Sequence, residues 1–186
     1  METPATLSLD ARNARVSFRV RWFGIIHVRG WFSAVEGRLA VPGDGGAACL
    51  VLQVESASVR TGIVLRDRHL RGLRFLDSAR HPFIRFRSER VTRRNDGWEI
   101  EGRLSLRGHE RTVWAAVPDE PAAGGIEGWL TAGFAVPRRP HLIGTARGVR
   151  RLNPLLWAIG DDVMLRVELL VPVRMLEHAA EHAHAR

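Results

Sequence analysis

The sequence predicts an all-β fold with one short helix, on three observations. Segments in which apolar and polar residues alternate recur along the chain, and this is the period of half-buried strands. Turn signals separate these segments, most clearly Asn95-Asp96-Gly97 between two alternating runs. The pattern gives about eight strands, joined mostly as hairpins, and antiparallel sheets of that size close into a barrel or stack as a sandwich.

The first half of the chain predicts three strands. Apolar side chains recur at every second position from Val16 to Trp22, so the first strand has one buried face. The second strand is long, and we expect a bend near Gly37 because glycine weakens a strand interior. Proline and glycine at 42–46 indicate a loop before the third. The expected strands are residues 14–23, 28–41 and 48–58.

Residues 66–88 are the one long stretch that is not plainly a strand. Leu65, Leu70 and Leu73 stand among arginines at a spacing that predicts a short helix over 64–73 with one apolar side. Asp77 then begins a turn, and Pro82 holds the residue before it in extended geometry, so a strand starts there. The stretch therefore predicts a helix set across the mouth of the sheet.

The second half of the chain predicts further hairpins. Strands are expected over 84–91, 98–107, 113–117, 126–136 and 162–174. Residues 118–125 are expected to form an exposed loop, and residues 146–157 fit either a loop or a short helix. No linker divides the chain, so the organisation is a single domain over 1–174 followed by a polar, histidine-containing tail over 175–186.

Composition limits the partners and the compartment. The net charge of +8 comes from arginine alone, and arginines occur in every segment, which favours a solvated surface over a nucleic-acid patch. Cys49 is the only cysteine, so no internal disulfide is possible. No apolar run is long enough for a transmembrane segment. No signal-peptide pattern is visible at the N-terminus, so we expect a cytoplasmic protein.

The histidines do not predict a catalytic or metal site. His69 lies beside Asp67, and an Asp-x-His pair could orient an acid or base, but no third group is placed to complete a site. The structural interpretation is therefore favoured over an enzyme. His178 and His182 have helical spacing, yet tail histidines are more often solvated than metal-bound. No catalytic residue, metal or cofactor is expected.

Residues 66–88 resemble the YceI family of small β-barrels, whose members carry a run close to RD-x-HLR-x-x-x-FFD-x-x-x-x-P-x-I-x-F-x-S. Residues 102–108 also resemble that family's G-x-L-T-I-R-G strand. The chain departs from the family at Trp22, where a histidine is frequent, and at 138–144, which keep only the arginine and the glycine of an R-x-D-F-G motif. The residues matching the longer run are Arg66, Asp67, His69, Leu70, Arg71, Phe75, Asp77, Pro82, Ile84, Phe86 and Ser88.

The resemblance implies a lipocalin-like, eight-stranded antiparallel barrel with a helix between two strands over one end. It also implies a non-catalytic carrier that holds a long-chain amphiphilic lipid, of isoprenoid or fatty-acyl type, in an apolar tunnel, and a possible homodimer. The side chains expected to line the tunnel are Phe18, Val20, Trp22, Trp31, Phe32, Leu52, Leu70, Phe75, Phe86, Leu104, Leu106 and Phe134. Those expected at its polar rim are Ser58, Thr61, Arg66, Asp67 and His69.

Two further functions stay open at this point. The first is an interaction or stress-response module that keeps the fold without a ligand. The second is an arginine-rich nucleic-acid binder, whose affinity would fall steeply with added salt.

Overall fold

Strands make up most of the computed structural model, which describes residues 5–42, 48–118, 122–124, 127–144, 159–172 and 175. The strands are β1 Ala5–Leu9, β2 Ala14–Trp22, β3 Ile26–Phe32, β4 Val35–Val41, β5 Cys49–Glu55, β6 Val59–Arg60, β7 Phe83–Arg94, β8 Gly97–Leu106, β9 His109–Pro118, β10 Ala122–Gly124, β11 Glu127–Pro137 and β12 Ile159–Pro172. One α-helix, α1 Val64–Arg71, lies between β6 and β7, and short 3-10 turns form at Ser56–Ser58 and Arg139–His141.

The antiparallel sheet curls into a barrel through one long bent strand. β3 and β4 are successive parts of that strand, separated only by Ser33 and Ala34. β2 and β1 pair along one side of it, whereas β6 and β5 pair along the other. The remaining neighbours run β5, β7, β8, β9, β11, β12 and back to β2. The expected all-β barrel class is therefore confirmed.

The bend differs from the prediction, which placed it near Gly37. The strand breaks at Ser33 and Ala34, and Gly37 lies inside β4 opposite Leu52. A Cβ built on Gly37 would lie 2.3 Å from the carbonyl oxygen of Val51, so this glycine is needed for close strand approach.

Two tight turns follow from local sequence. β7 and β8 are joined through Asn95-Asp96, as the hairpin signal predicts. β8 and β9 are joined through Arg107 and Gly108, whose φ angles of 53° and 72° are both positive. The predicted loop at 118–125 instead contains β10, which pairs with β11. The predictions for 43–46, 146–157 and 176–186 fall outside the described residues.

Helix α1 does not bury the face that its sequence pattern predicts to be apolar and buried. Leu65 is 77% exposed and Leu73 is 59% exposed, and only Leu70 of the three expected apolar residues packs against the core. The buried helix residue is Asp67. Within the described residues no helix is long and apolar enough to cross a bilayer.

The core lies inside the barrel and is formed by alternate residues of every strand around the ring. Its buried members include Val16, Leu52, Leu104 and Val136. Met175 also packs there, so the packed part of the chain extends at least to that residue.

Candidate functional site

The inner face of the barrel is apolar and is not uniformly buried. Strand register places Phe134 beside Leu165, Leu165 beside Phe18, and Phe18 beside Gly30, on four successive strands. Phe134 is buried, whereas Phe18 and Leu165 keep part of their surface accessible although they pack against the core. The interior therefore has a closely packed part and a part in which apolar side chains remain accessible.

Two phenylalanine rings cover glycines on the barrel wall. A Cβ on Gly30 would lie 2.4 Å from Cζ of Phe18, and a Cβ on Gly102 would lie 2.5 Å from Cζ of Phe86. Because a side chain at either glycine would occupy the place of the ring, each ring lies directly over its glycine. This arrangement draws two large side chains against the wall and away from the centre of the barrel.

The structure places most of the predicted lining residues on the inner face or beneath the end of the barrel. Trp22 lies at the end of β2, where its ring is 4.9 Å from the ring of Phe23 in the following turn. That the predicted lining residues bind a ligand stays a prediction. Those on the inner face are Phe18, Val20, Phe32, Leu52, Phe86, Leu104, Leu106 and Phe134, and those beneath the end are Leu70 and Phe75.

The placement of Trp31 was wrong. Its side chain is 50% exposed, whereas Phe32 on the same strand is buried. Successive residues of a strand point to opposite faces, so Trp31 and Phe32 cannot both line one interior.

One end of the barrel is closed by two segments, Gly72–Pro82 and Arg138–Gly144, which we call the cap. The amide of Gly144 donates to the carbonyl oxygen of Arg74 at 2.7 Å. Arg107, in the β8–β9 turn, donates to the carbonyl oxygens of Leu73 and Leu142. The Gly144 bond thus joins the two cap segments to each other, and Arg107 fastens both segments to the end of the sheet.

Arg138 holds the second cap segment onto the start of β12. Its guanidinium donates to the carbonyl oxygens of Gly160 at 3.0 Å, Ile159 at 3.0 Å, Ile143 at 3.1 Å and Gly144 at 3.3 Å. The side chain is buried, and this burial lowers the pKa of the guanidinium, while Asp161 acts in the opposite direction. Arg138 and Gly144, which are retained from the R-x-D-F-G motif, are thus joined by a hydrogen bond.

The polar side chains predicted to form the rim make hydrogen bonds to other groups of the protein. The hydroxyl of Thr61 donates to Oδ1 of Asp67 at 2.5 Å and accepts from Nε of Arg66 at 2.8 Å. The buried hydroxyl of Ser58 donates to the carbonyl oxygen of Glu55 at 2.7 Å. The bonds of Thr61 with Asp67 and Arg66 fasten α1 to the residue that follows β6, whereas the Ser58 bond lies within the preceding 3-10 turn. Ser58 and Asp67 are therefore not exposed at a rim.

His69 is not joined to Asp67 in a catalytic pair. Its exposed side chain packs edge-on against Phe75, with ring centroids 4.9 Å apart. The bonding partner of Asp67 is the hydroxyl of Thr61. Within the described residues, no group of three His, Cys, Asp or Glu side chains comes together as metal ligands.

His141 is a buried residue whose place the sequence did not reveal. Only 1% of it is exposed, and its Nδ1 lies 3.3 Å from the carbonyl oxygen of Leu106. Its Nε2 has no partner among the described residues. Burial lowers the pKa of His141, and the charges of His109 and Arg111 add to that effect. A proline-histidine dipeptide in a loop gave no periodicity from which this burial could be predicted.

β9 and β11 are the most weakly joined neighbours of the ring. Within these two described strands only Gly133 and Ala116 form a bridge pair, whereas the β11–β12 ladder extends along all of β11. The inner face of β9 is apolar from Val117 to Val113 and continues to Arg111, which lies opposite Leu104. An exposed cation therefore stands at the edge of the apolar interior, beside this seam.

An open groove crosses the outer face of β5, β7 and β8. Its arginines stand among neutral and acidic side chains: Nε of Arg103 donates to Glu89 at 3.0 Å, and Nε of Arg85 donates to Gln53 at 2.8 Å. The groove therefore does not present an unbroken basic surface of the kind that follows a nucleic-acid backbone.

Comparison with known proteins places this geometry in a family. A family model described as a YceI-like domain matches residues 7–171. A UPF0312 protein of Vibrio cholerae is 27% identical over 134 residues, which are 70% of this chain and 70% of the relative.

Solved structures share the fold. The crystal structure of Burkholderia cenocepacia BcnA has a TM-score of 0.70 and 17% identity, covering 85% of this chain and 96% of that chain. A polyisoprenoid-binding domain from Saccharophagus degradans has a TM-score of 0.63 and 15% identity, covering 91% of this chain and 99% of that chain. The family model spans the whole ring of strands, and the chain therefore belongs to the YceI family.

Proposed function

We propose that the barrel interior holds the chain of a long amphiphilic lipid, of isoprenoid or fatty-acyl type, and that the protein carries it without catalysis. The observation that carries this proposal is the partly accessible apolar inner face, on which the rings of Phe18 and Phe86 lie over Gly30 and Gly102. The shared fold with the Saccharophagus degradans domain, which is described as polyisoprenoid-binding, supports the same ligand class.

Apolar burial is the main source of affinity that we expect for such a ligand. Each buried CH₂ group contributes about 0.8 kcal/mol, so about ten of them contribute about 8 kcal/mol before the cost of ordering the chain. No hydrogen bond is needed along the tail, which agrees with an inner face built from valine, leucine and phenylalanine.

The lipid head group is best accommodated beside the seam between β9 and β11. The inner face of β9 turns from apolar to cationic at Arg111, and a carboxylate or phosphate there would gain a charge-assisted hydrogen bond. The rim residues named from the sequence are less suited, because Thr61, Arg66 and Asp67 already bond to one another.

Adjacent substitutions on β12 test the proposal. Leu165 lies on the inner face opposite Phe18, whereas Met164 is exposed on the outer face. Leu165→Trp should fill the interior and lower the affinity for a fluorescent fatty acid at least about tenfold. The affinity for a prenol, measured by displacement of that fatty acid, should fall by a similar factor. Met164→Trp should bind as the unaltered protein does, and thermal unfolding of both variants reports whether each is folded.

Saturable binding that is equal in Leu165→Trp and Met164→Trp, with both folded, would place the lipid outside the barrel and contradict the proposal. The homodimer and the cytoplasmic location stay predictions, which light scattering and cell fractionation would check.

A further inference from the structure

Exposed apolar side chains gather in two neighbouring places on this protein. The β2–β3 turn carries Phe23 and Ile25, the latter 80% exposed, and the exposed Ile26 follows at the start of β3. The start of α1 carries Val64 and Leu65, which are 85% and 77% exposed. Contiguous exposed apolar surface on a folded protein usually marks a binding surface.

Strand pairing brings these two places to one end of the barrel. β6 runs antiparallel to β3, with Arg60 opposite Trp31. The chain that leaves Arg60 therefore heads towards the Ile26 end of β3, and it enters α1 within a few residues. We call the β2–β3 turn and the first turn of α1 together the apolar tip.

Arginines without acidic partners stand behind the apolar tip. Arg19 lies directly opposite Arg29 in the β2–β3 ladder, and Arg21 lies opposite His27. All three arginines are exposed, and none has an ion pair among the described residues. Like charges placed directly opposite one another destabilise a strand pair, so this arrangement favours an anionic partner.

We propose that the apolar tip docks onto an anionic lipid bilayer, with Ile25 and Leu65 entering the interfacial region and Arg19, Arg21 and Arg29 meeting lipid phosphates. Trp31, half exposed on the outer face of β3, has the amphipathic side chain that is enriched at such interfaces. A second copy of the chain suits this surface less, because a symmetric contact would bring the same arginines against each other.

This docking concerns the outer surface and is independent of what the interior binds. It would deliver the protein to a membrane in which long-chain lipids reside. Its failure leaves the lipid-binding experiment on Leu165 and Met164 untouched, and the two proposals can therefore fail separately.

Flotation with vesicles tests the docking directly. The full chain is mixed with vesicles of phosphatidylcholine alone, or of phosphatidylcholine with phosphatidylglycerol, at low and high salt. We expect binding only to the anionic vesicles and weaker binding at high salt. The double variants Ile25→Ser with Leu65→Ser, and Arg19→Gln with Arg29→Gln, should each weaken binding at least about tenfold.

Matched controls remove the same number of exposed apolar side chains, or of arginines, at other places on the protein. Val51→Ser with Trp114→Ser removes two exposed apolar side chains on other strands, and Arg12→Gln with Arg90→Gln removes two arginines that are paired with acids. Both controls should bind as the unaltered protein does. The docking is overturned by absence of flotation at low salt, by equal binding to neutral vesicles, or by equal loss in controls and tip variants. It is also overturned if the tip variants alter only the oligomeric state.

Discussion

Single buried polar residues decide how the end of this barrel is closed. Arg138 is the clearest case, because one guanidinium satisfies carbonyl oxygens from both the cap and the start of β12. The bond to Gly144 is buried and the other three are partly buried, so loss of the donor would leave these oxygens unsatisfied at a higher cost than loss of an exposed hydrogen bond. One residue thus joins two segments that are distant in sequence.

Replacing Arg138 should be far more costly than replacing its neighbour. Arg138→Ala should lower the free energy of unfolding by about 3 kcal/mol, since carbonyl oxygens in one buried and three partly buried hydrogen bonds lose their donor. Arg139→Ala removes an exposed ion pair with Asp161 and should cost no more than about 1 kcal/mol. Urea denaturation of both variants measures the difference, and equal costs would contradict the role assigned to Arg138.

His141 should make stability depend on pH. Burial lowers its pKa below the ordinary value of 6.5, so the unfolded chain binds a proton at this position more readily than the folded chain. The contribution of His141 to the free energy of unfolding is therefore fully present above pH 6.5, and it is lost as the pH falls below that value. Urea unfolding at about pH 7.5 and about pH 5.5 should show this loss, and His141→Gln should reduce it. An unchanged pH dependence in the variant would exclude His141 as the cause.

At the scale of residues, the sequence predicted positions governed by strand period and missed those governed by tertiary contacts. Phe18, Phe86 and Leu104 lie on the inner face because alternation dictates it. Trp31 was placed in the tunnel together with Phe32, although the strand period puts these two successive side chains on opposite faces. His141 could not be placed, since its ring contacts Leu106 at the end of β8, which is distant in sequence.

Helix α1 is held by polar groups on its buried side. Thr61, Arg66 and Asp67 form one hydrogen-bonded cluster, and Arg71 donates to the carbonyl oxygen of Val59 at 3.1 Å. Apolar spacing predicted the existence of the helix and its start correctly, but it gave the wrong face. Hydrophobic pattern reports which face is buried only where apolar contact is what attaches a helix.

The attachment of α1 should be cooperative. Thr61→Val and Asp67→Ala should each lower the free energy of unfolding by about 1 to 3 kcal/mol, because each leaves a polar partner unsatisfied. The double variant should cost clearly less than both single costs added, since they remove the same hydrogen bond. A double-mutant cycle by thermal or urea unfolding checks this. Additive costs would show that the hydroxyl and the carboxylate act separately.

The closed ring follows from two features of the whole molecule. The first is the long strand formed by β3 and β4, which carries neighbours along both sides, so the sheet has no free edge there. The second is the contact between β9 and β11, which completes the ring although its ladder has only one bridge pair. The eight strands predicted from alternation and turn residues correspond to β2, β3 with β4, β5, β7, β8, β9, β11 and β12, whereas the short strands β1, β6 and β10 were missed. The bend at Ser33 and Ala34 and the seam could not be predicted, since both depend on how the ends of the ring meet.

The central claim is that the interior is a binding site for a long apolar chain. Native mass spectrometry of the freshly purified protein, followed by organic extraction and lipid analysis, tests it most directly. We predict a stoichiometric mass increment that extracts as an isoprenoid or fatty-acyl lipid, or that appears when such a lipid is added. A protein whose native mass stays that of the bare chain after addition of prenyl and fatty-acyl lipids would contradict the claim.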